Sequence, residues 1–147
     1  MDSSLKDEFV LETNMRVIKK SIFFLTHFTV NFQNEIALKL IRRIYKPEET
    51  INIIDNNERQ LVIIDSGKVH IHLKKYHNYQ DITKLAKIIK MEEGKPTLNV
   101  IGYSSLILNR NLQLKYLTED ITTAYILKRS DMLESLGKSL LDFEGFN

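Results

Sequence analysis

Residues 100–114, Val-Ile-Gly-Tyr-Ser-Ser-Leu-Ile-Leu-Asn-Arg-Asn-Leu-Gln-Leu, hold the pattern in this chain that comes nearest to chemistry. Val100 and Ile101 are β-branched and lead into Gly102. Ser104 and Ser105 stand where one helical turn would start, and an apolar run and a polar Asn109-Arg110-Asn111 turn follow. A strand, a glycine and a helix start form a shape in which backbone N–H groups can face an anion. The same residues also make an ordinary strand-to-turn junction, and one glycine does not separate the two readings.

The other reactive side chains do not assemble into a mechanism. His70 and His72 lie two apart, so on a strand both could touch one metal ion. His77 is near, but no carboxylate or thiolate set completes a site, and solvated strand histidines account for them. Glu119-Asp120 reads as a solvated turn rather than an acid–base pair. No motif places a histidine beside Ser104-Ser105, so a nucleophilic serine is not indicated. Gly-x-x-x-x-Gly-Lys is absent, and Gly94-Lys95 alone is no phosphate loop. The expectation is a protein that is not an enzyme and holds no metal.

Composition narrows the class. The chain has 147 residues, the size of one domain, with 43% apolar and 27% charged residues. A formal net charge of +2 is too small for a nucleic-acid binder, and the basic residues do not alternate with aromatics as on an RNA-binding sheet. Cysteine is absent, which excludes disulfides and thiolate chemistry. No apolar run approaches the ~20 residues of a membrane span. Met1-Asp2-Ser3-Ser4-Leu5-Lys6-Asp7-Glu8 is too polar and acidic for a signal peptide. A cytoplasmic protein is expected, attached to a membrane only through a partner or a longer parent chain.

The elements that must position residues 100–114 follow from periodicity. Ser3 or Ser4 is a candidate helix cap, with Asp7 and Glu8 in the first turn and Leu11, Met15, Ile18 and Ile22 as one apolar stripe. A second helix is expected from about Asn31 to Arg43, with Phe32, Ile36, Ala37, Leu40, Ile41 and Ile44 buried and Arg42-Arg43 in its last turn. Tyr45-Lys46-Pro47 stops it. Thr50–Ile54 is a short β-branched stretch, and Leu61–Ile64 reads as a strand buried on both faces. Val69, Ile71 and Leu73 alternate with Lys68, His70, His72 and Lys74, as in a half-buried strand. Residues 82–91 fit either a basic amphipathic helix or a strand, and the β-like flanks favour the strand. Thr122–Leu127 is a further strand, and Ser130 caps a last helix with Leu133, Leu136 and Leu140 inward. The order is two helices, about eight short antiparallel strands and a helix, an α+β fold with a barrel or sandwich.

This order, with its turns, resembles the cyclic nucleotide-binding domain family. Tyr45-Lys46-Pro47-Glu48-Glu49-Thr50-Ile51 is similar to the family's Tyr-x-Pro-Gly-Glu-x-Ile opening. Leu61-Val62-Ile63-Ile64-Asp65-Ser66-Gly67-Lys68-Val69 is similar to its Leu-Tyr-Phe-Ile-x-x-Gly-x-Val hairpin, and Ile101-Gly102 to the Phe-Gly that begins its phosphate-binding cassette. Arg129-Ser130-Asp131-Met132-Leu133 is similar to its Arg-x-Asp-Phe-Leu helix start. Ser4–Phe24 resembles the linker helix of voltage-gated and cyclic-nucleotide-gated cation channels. The resemblance implies an eight-stranded antiparallel β-roll, jelly-roll-like, with residues 1–30 as a linker-like helical segment and 31–147 as the cyclic nucleotide-binding-like part.

The resemblance also implies a degenerate ligand site. By position the ligand segment comprises Gly102, Tyr103, Ser104, Ser105, Arg110, Leu112 and Gln113. Tyr103 stands where the family's glutamate takes the ribose 2′-hydroxyl, and Leu112 where its arginine pairs the cyclic phosphate. A one-residue slip puts Asn111 there, and Arg110 is two positions early. Glu48 and Asp55 replace two further family glycines. The implied function is regulatory or interactive, with no cofactor and weak or no binding of cyclic AMP or cyclic GMP. A functional cyclic nucleotide site and a purely structural subunit are the alternatives. The implied partners are other protein subunits, of a channel or a large assembly, with no nucleic acid and no direct membrane insertion. Phe23, Phe24, Phe28 and Phe32 are candidate contacts for such a partner, though a core role fits them better.

Overall fold

The computed structural model describes residues 3–55, 57–77, 80–91, 99–102 and 114–138. Three helices come first: α1 (Ser3–Lys19), α2 (Ile22–His27) and α3 (Val30–Ala37). Nine strands follow among the described residues: β1 (Ile41–Tyr45), β2 (Thr50–Ile51), β3 (Ile54–Asp55), β4 (Glu58–Ser66), β5 (Lys68–His77), β6 (Gln80–Lys90), β7 (Val100–Ile101), β8 (Leu114–Thr118) and β9 (Thr122–Lys128). Helix α4 (Arg129–Lys138) comes last.

The strands form two antiparallel sheets rather than a closed barrel. One runs β1-β9-β4-β3, with β7 also on β4, and the other runs β2-β8-β5-β6. The long apolar run in β4 explains the first sheet. Leu61 and Ile63 face the helices, and Val62 and Ile64 face the second sheet, all fully buried. A strand covered on both sides needs no polar alternation. The helix-side core joins Val17, Ile18, Phe24, Phe32 and Ile36 to Leu61, Ile63, Tyr125 and Leu127. The core between the sheets joins Tyr45, Val62, Ile64 and Ile126 to Ile51, Val69, Ile89 and Tyr116. The layers are therefore helices, five-stranded sheet, inner core and four-stranded sheet. The expected β-roll with flanking helices is what the chain forms, and residues 82–90 lie on strand β6, with Met91 just past its end.

Polar side chains pin the helices in place. Asn14 donates to the Ala37 carbonyl at 2.5 Å and ties α1 to the end of α3. Gln33 donates to the carbonyls of Phe24 (3.1 Å) and Phe28 (2.9 Å), holding α2 against α3. Each bond satisfies a buried group whose loss would be costly.

The structure departs from the sequence expectations at several elements. Ser3 and Ser4 are already helical, so Asp7 and Glu8 fall one turn further in than expected. The second helix ends at Ala37, and Arg42 and Arg43 lie on strand β1. Pairing with β9, Ile41↔Ile126 through Tyr45↔Thr122, overrides the helical spacing. Ile41 and Ile44, expected inside, are 49% and 55% exposed because β1 is an edge strand. Phe24 and Phe32 are buried in the helix-side core, which removes them as partner contacts, and Phe28 packs half-buried against them. The side chain of Phe23 and all of Leu140 lie outside the described residues. Leu133 is exposed, and Met132 and Ser135 are the buried positions of α4. Ser130 does not cap α4. The Glu58 carboxylate reaches across from β4 and accepts from the Ser130 N–H at 2.8 Å, and hydrogen bonding from the Ser130 side chain first and its N–H second holds the Glu58 carboxyl below the usual carboxylate range.

Candidate ligand-binding site

Gly102 is the described end of the segment singled out above. Strand β7 brings it there by pairing with β4, Val62↔Ile101 and Ile63↔Val100. Asn99 locks the approach: its carbonyl accepts from the Ile64 N–H at 2.9 Å, and its Nδ2 donates to the Ile64 carbonyl at 2.6 Å. Gly102 is buried with φ +86°. A Cβ there would lie 2.9 Å from the Gln60 carbonyl oxygen and 3.0 Å from Ile53 Cγ2. Only glycine fits both the conformation and the space. Gln60 in turn holds residues 52–53, donating from its N–H to the Ile53 carbonyl (2.8 Å) and from Nε2 to the Asn52 carbonyl (2.9 Å). The start of β4, residues 52–53 and Gly102 thus meet at one place. Tyr103, Ser104, Ser105, Arg110, Leu112 and Gln113 lie outside the described residues. Leu114 on the far side packs against the inner core, as does Ile101 on the near side.

The opening turn before β2 is built around a residue that sequence reasoning missed. Thr118 Oγ1 donates to the Lys46 carbonyl at 2.6 Å and accepts from the Glu49 N–H at 2.9 Å. The Thr118 N–H donates to the Glu49 carbonyl, and its own carbonyl accepts from the Glu48 N–H. No local signal marks a strand-end threonine as the anchor of a turn 69 to 72 residues away in sequence. Glu48, at the position of a family glycine, has φ 61°. The left-handed residue of the next turn is Asn57, φ 62°, and not Asp55, which pairs with Glu58 in the β3–β4 ladder. Left-handed backbone costs a residue with a Cβ about 1–2 kcal/mol, and asparagine tolerates it better than glutamate. Glu48→Gly is therefore expected to raise stability by about 0.5–1 kcal/mol. A melt followed by circular dichroism checks this, and an unchanged or lower midpoint counts against it.

Tyr45 is fully buried between the sheets, and its hydroxyl has no hydrogen-bond partner among the described residues. Burial pushes its pKa up, while the Arg43 guanidinium, 4.6 Å above the ring centroid, pulls the other way. His70 and His72 sit on β5 with ring centroids 6.1 Å apart. His70 Nε2 lies 3.4 Å from the Glu119 carboxylate, close enough for attraction but not aligned as a hydrogen bond. Lys68 Nζ is 2.9 Å from the same carboxylate, and first Lys68 and then His70 hold Glu119 below the usual carboxylate range. Among the described residues no group of three His, Cys, Asp or Glu side chains gathers as metal ligands would.

No protein family's sequence profile matches the chain, and no curated protein sequence does. Solved structures do. The regulatory domain of Toxoplasma gondii protein kinase A, crystallised with cyclic AMP, superposes with a TM-score of 0.71 at 12% identity, over 94% of this chain and 49% of that one. The regulatory subunit of a cyclic AMP-independent protein kinase A from Trypanosoma brucei gives 0.69 at 16% identity, over 97% and 49%. Its Trypanosoma cruzi counterpart, bound to guanosine, gives 0.70 at 16% identity, over 94% and 45%. The chain thus spans about half the length of these structures. They are kinase regulatory subunits, not channels, and the channel-type resemblance of the front helix finds no counterpart among them. What the superpositions establish is that this chain has the β-roll fold of the cyclic nucleotide-binding domains.

Proposed function

We propose that this chain is a non-catalytic regulatory domain of the cyclic nucleotide-binding type that binds cyclic AMP and cyclic GMP weakly or not at all. The carrying observation is Gly102. Its left-handed backbone, pressed against Gln60, supports the ungapped register that puts Tyr103 and Leu112 at the two charged contacts of the site. A cyclic nucleotide presents one negative charge. Without the arginine and the glutamate it loses two hydrogen bonds to charged groups, about 1.5–3 kcal/mol each. Micromolar affinity then falls by roughly two to four decades. The domain would act on other protein subunits, with residues 1–30 as the linker-like helical segment. Among the described residues no helix is long and apolar enough to cross a membrane.

One observation favours a second reading. A neighbour of similar fold, the regulatory subunit of a cyclic AMP-independent protein kinase A, is bound to guanosine. An uncharged nucleoside has no phosphate for an arginine to pair, so the loss of that arginine does not weigh against it. Isothermal titration with cyclic AMP, cyclic GMP and guanosine tests both readings. The cyclic nucleotides are expected to bind no tighter than about 100 µM. Low-micromolar binding of either one overturns the proposal and favours a functional site with Arg110 as the phosphate partner. Micromolar guanosine with weak cyclic nucleotides selects the second reading.

A further inference from the structure

Among the described residues, one sheet face is left uncovered. The first sheet has a core on each side, whereas the described residues give the second only the inner core on one side. Its register sorts the outer residues into cross-strand rows. In the first, Lys68 on β5 lies directly opposite Lys90 on β6. In the next, His70 lies between Ile88 on β6 and Leu117 on β8. In the third, His72 lies between Leu85 on β6 and Lys115 on β8. Adjacent rows on one face stand about 6.5–7 Å apart.

Two features of this face do not serve the fold. Like charges directly opposite each other destabilise a sheet, yet Lys68 faces Lys90. Only Lys68 has a carboxylate near it, Glu119, while the Asp120 carboxylate is taken up by the Lys68 N–H. Lys90 and Lys115 have no ion pair among the described residues. The second feature is the apolar row between the cationic ones, in which Ile88 is 42% exposed. With a formal net charge of +2 for the whole chain, this face is more basic than the chain at large.

We propose that the outer face of the four-stranded sheet docks an acidic protein segment carrying aliphatic residues between its carboxylates. Carboxylates would answer Lys90 and Lys115, and an aliphatic side chain would cover the Ile88–Leu117 row. A second copy of this face carries the same charges and is repelled. Single-stranded nucleic acid is recognised by stacking platforms, and apart from the two imidazoles this row pattern offers no ring. The surface is separate from the Gly102 region, so the proposal does not depend on the ligand reading.

The test uses the full chain and a fluorescent acidic peptide of twelve residues, mostly glutamate, with leucine at every third position. Anisotropy at low salt is compared between the unaltered chain, the double variant Lys90→Glu/Lys115→Glu and the control Arg42→Glu/Lys46→Glu on the edge of the other sheet. The first pair is expected to weaken binding about tenfold or more and the control less than twofold. Amide shifts on titration should map to β5, β6 and β8. The proposal is overturned if the two double variants lose affinity equally, or if the first stays within twofold of the unaltered chain. It is also overturned if anionic phospholipid vesicles or an oligonucleotide bind this face more tightly than the peptide. Concentration-dependent dimerisation abolished by the first pair would assign the face to a second copy instead.

Discussion

A chain carrying Tyr103→Glu and Leu112→Arg together is expected to bind cyclic AMP about two to four decades more tightly than the unaltered chain. The glutamate would accept from the ribose hydroxyl, and the arginine would pair the cyclic phosphate through two parallel N–H groups. Each single variant should recover less than the pair, because one contact leaves the other side of the ligand unanchored. The gain requires that the chain leaving Gly102, whose φ is +86°, present backbone N–H groups to the phosphate. Titration calorimetry on the three variants measures it. If the double variant stays within threefold of the unaltered chain while its circular dichroism is native, the register assigned to residues 103–112 is wrong.

Gly67→Ala is expected to cost about 3–4 kcal/mol of stability, from backbone strain and overpacking together. Gly67 makes the turn between β4 and β5 with φ +104°. A Cβ there would lie 2.5 Å from Thr122 Oγ1, 2.8 Å from Thr122 Cα and 2.9 Å from the Ile121 carbonyl oxygen. Two of these neighbours are backbone atoms, so no rotamer change relieves the clash. The β8–β9 turn would have to move, and with it the bonds from the Lys68 N–H to Asp120 and from the Glu119 N–H to the Lys68 carbonyl. Gly137→Ala is the control of opposite sign. It lies in α4 with nothing within 4 Å of an added Cβ, so alanine should gain up to about 1 kcal/mol. Urea titration of both variants reads the difference. A loss under about 1 kcal/mol at Gly67 would mean that the turn rearranges freely.

Much of the fold was legible in the sequence where local pattern and tertiary environment agree. The run Leu61–Ile64 is buried on both faces because β4 lies between two cores. The alternation Lys68–His72 matches a strand with one face inside and one outside. What escaped was set by distant partners. Ile41 and Ile44 carry helical spacing, but the free edge of β9 captures them as strand β1. Ser130 looks like a cap, yet Glu58 serves the helix start from 72 residues away. Thr118 holds the opening turn through contacts that no short motif encodes. Within the candidate site, the need for glycine at position 102 was legible only as a motif, and its physical cause is the Gln60 carbonyl beneath it. The family glycine at position 48 was legible as a departure, and the structure keeps its left-handed turn with glutamate in place. The turn after β3 takes its left-handed residue at Asn57, because a hairpin's left-handed position depends on the pairing register, which a short motif does not encode.

The central claim is that residues 103–113 keep the place of a phosphate-binding segment without its charged contacts. A crystal structure of the chain grown with excess cyclic AMP tests this most directly. The Tyr103 and Leu112 side chains are expected to fill the space beside Gly102, with no cyclic phosphate ordered there. A cyclic phosphate held by backbone N–H groups near Ser104, with the Arg110 guanidinium within hydrogen-bond distance, would contradict it.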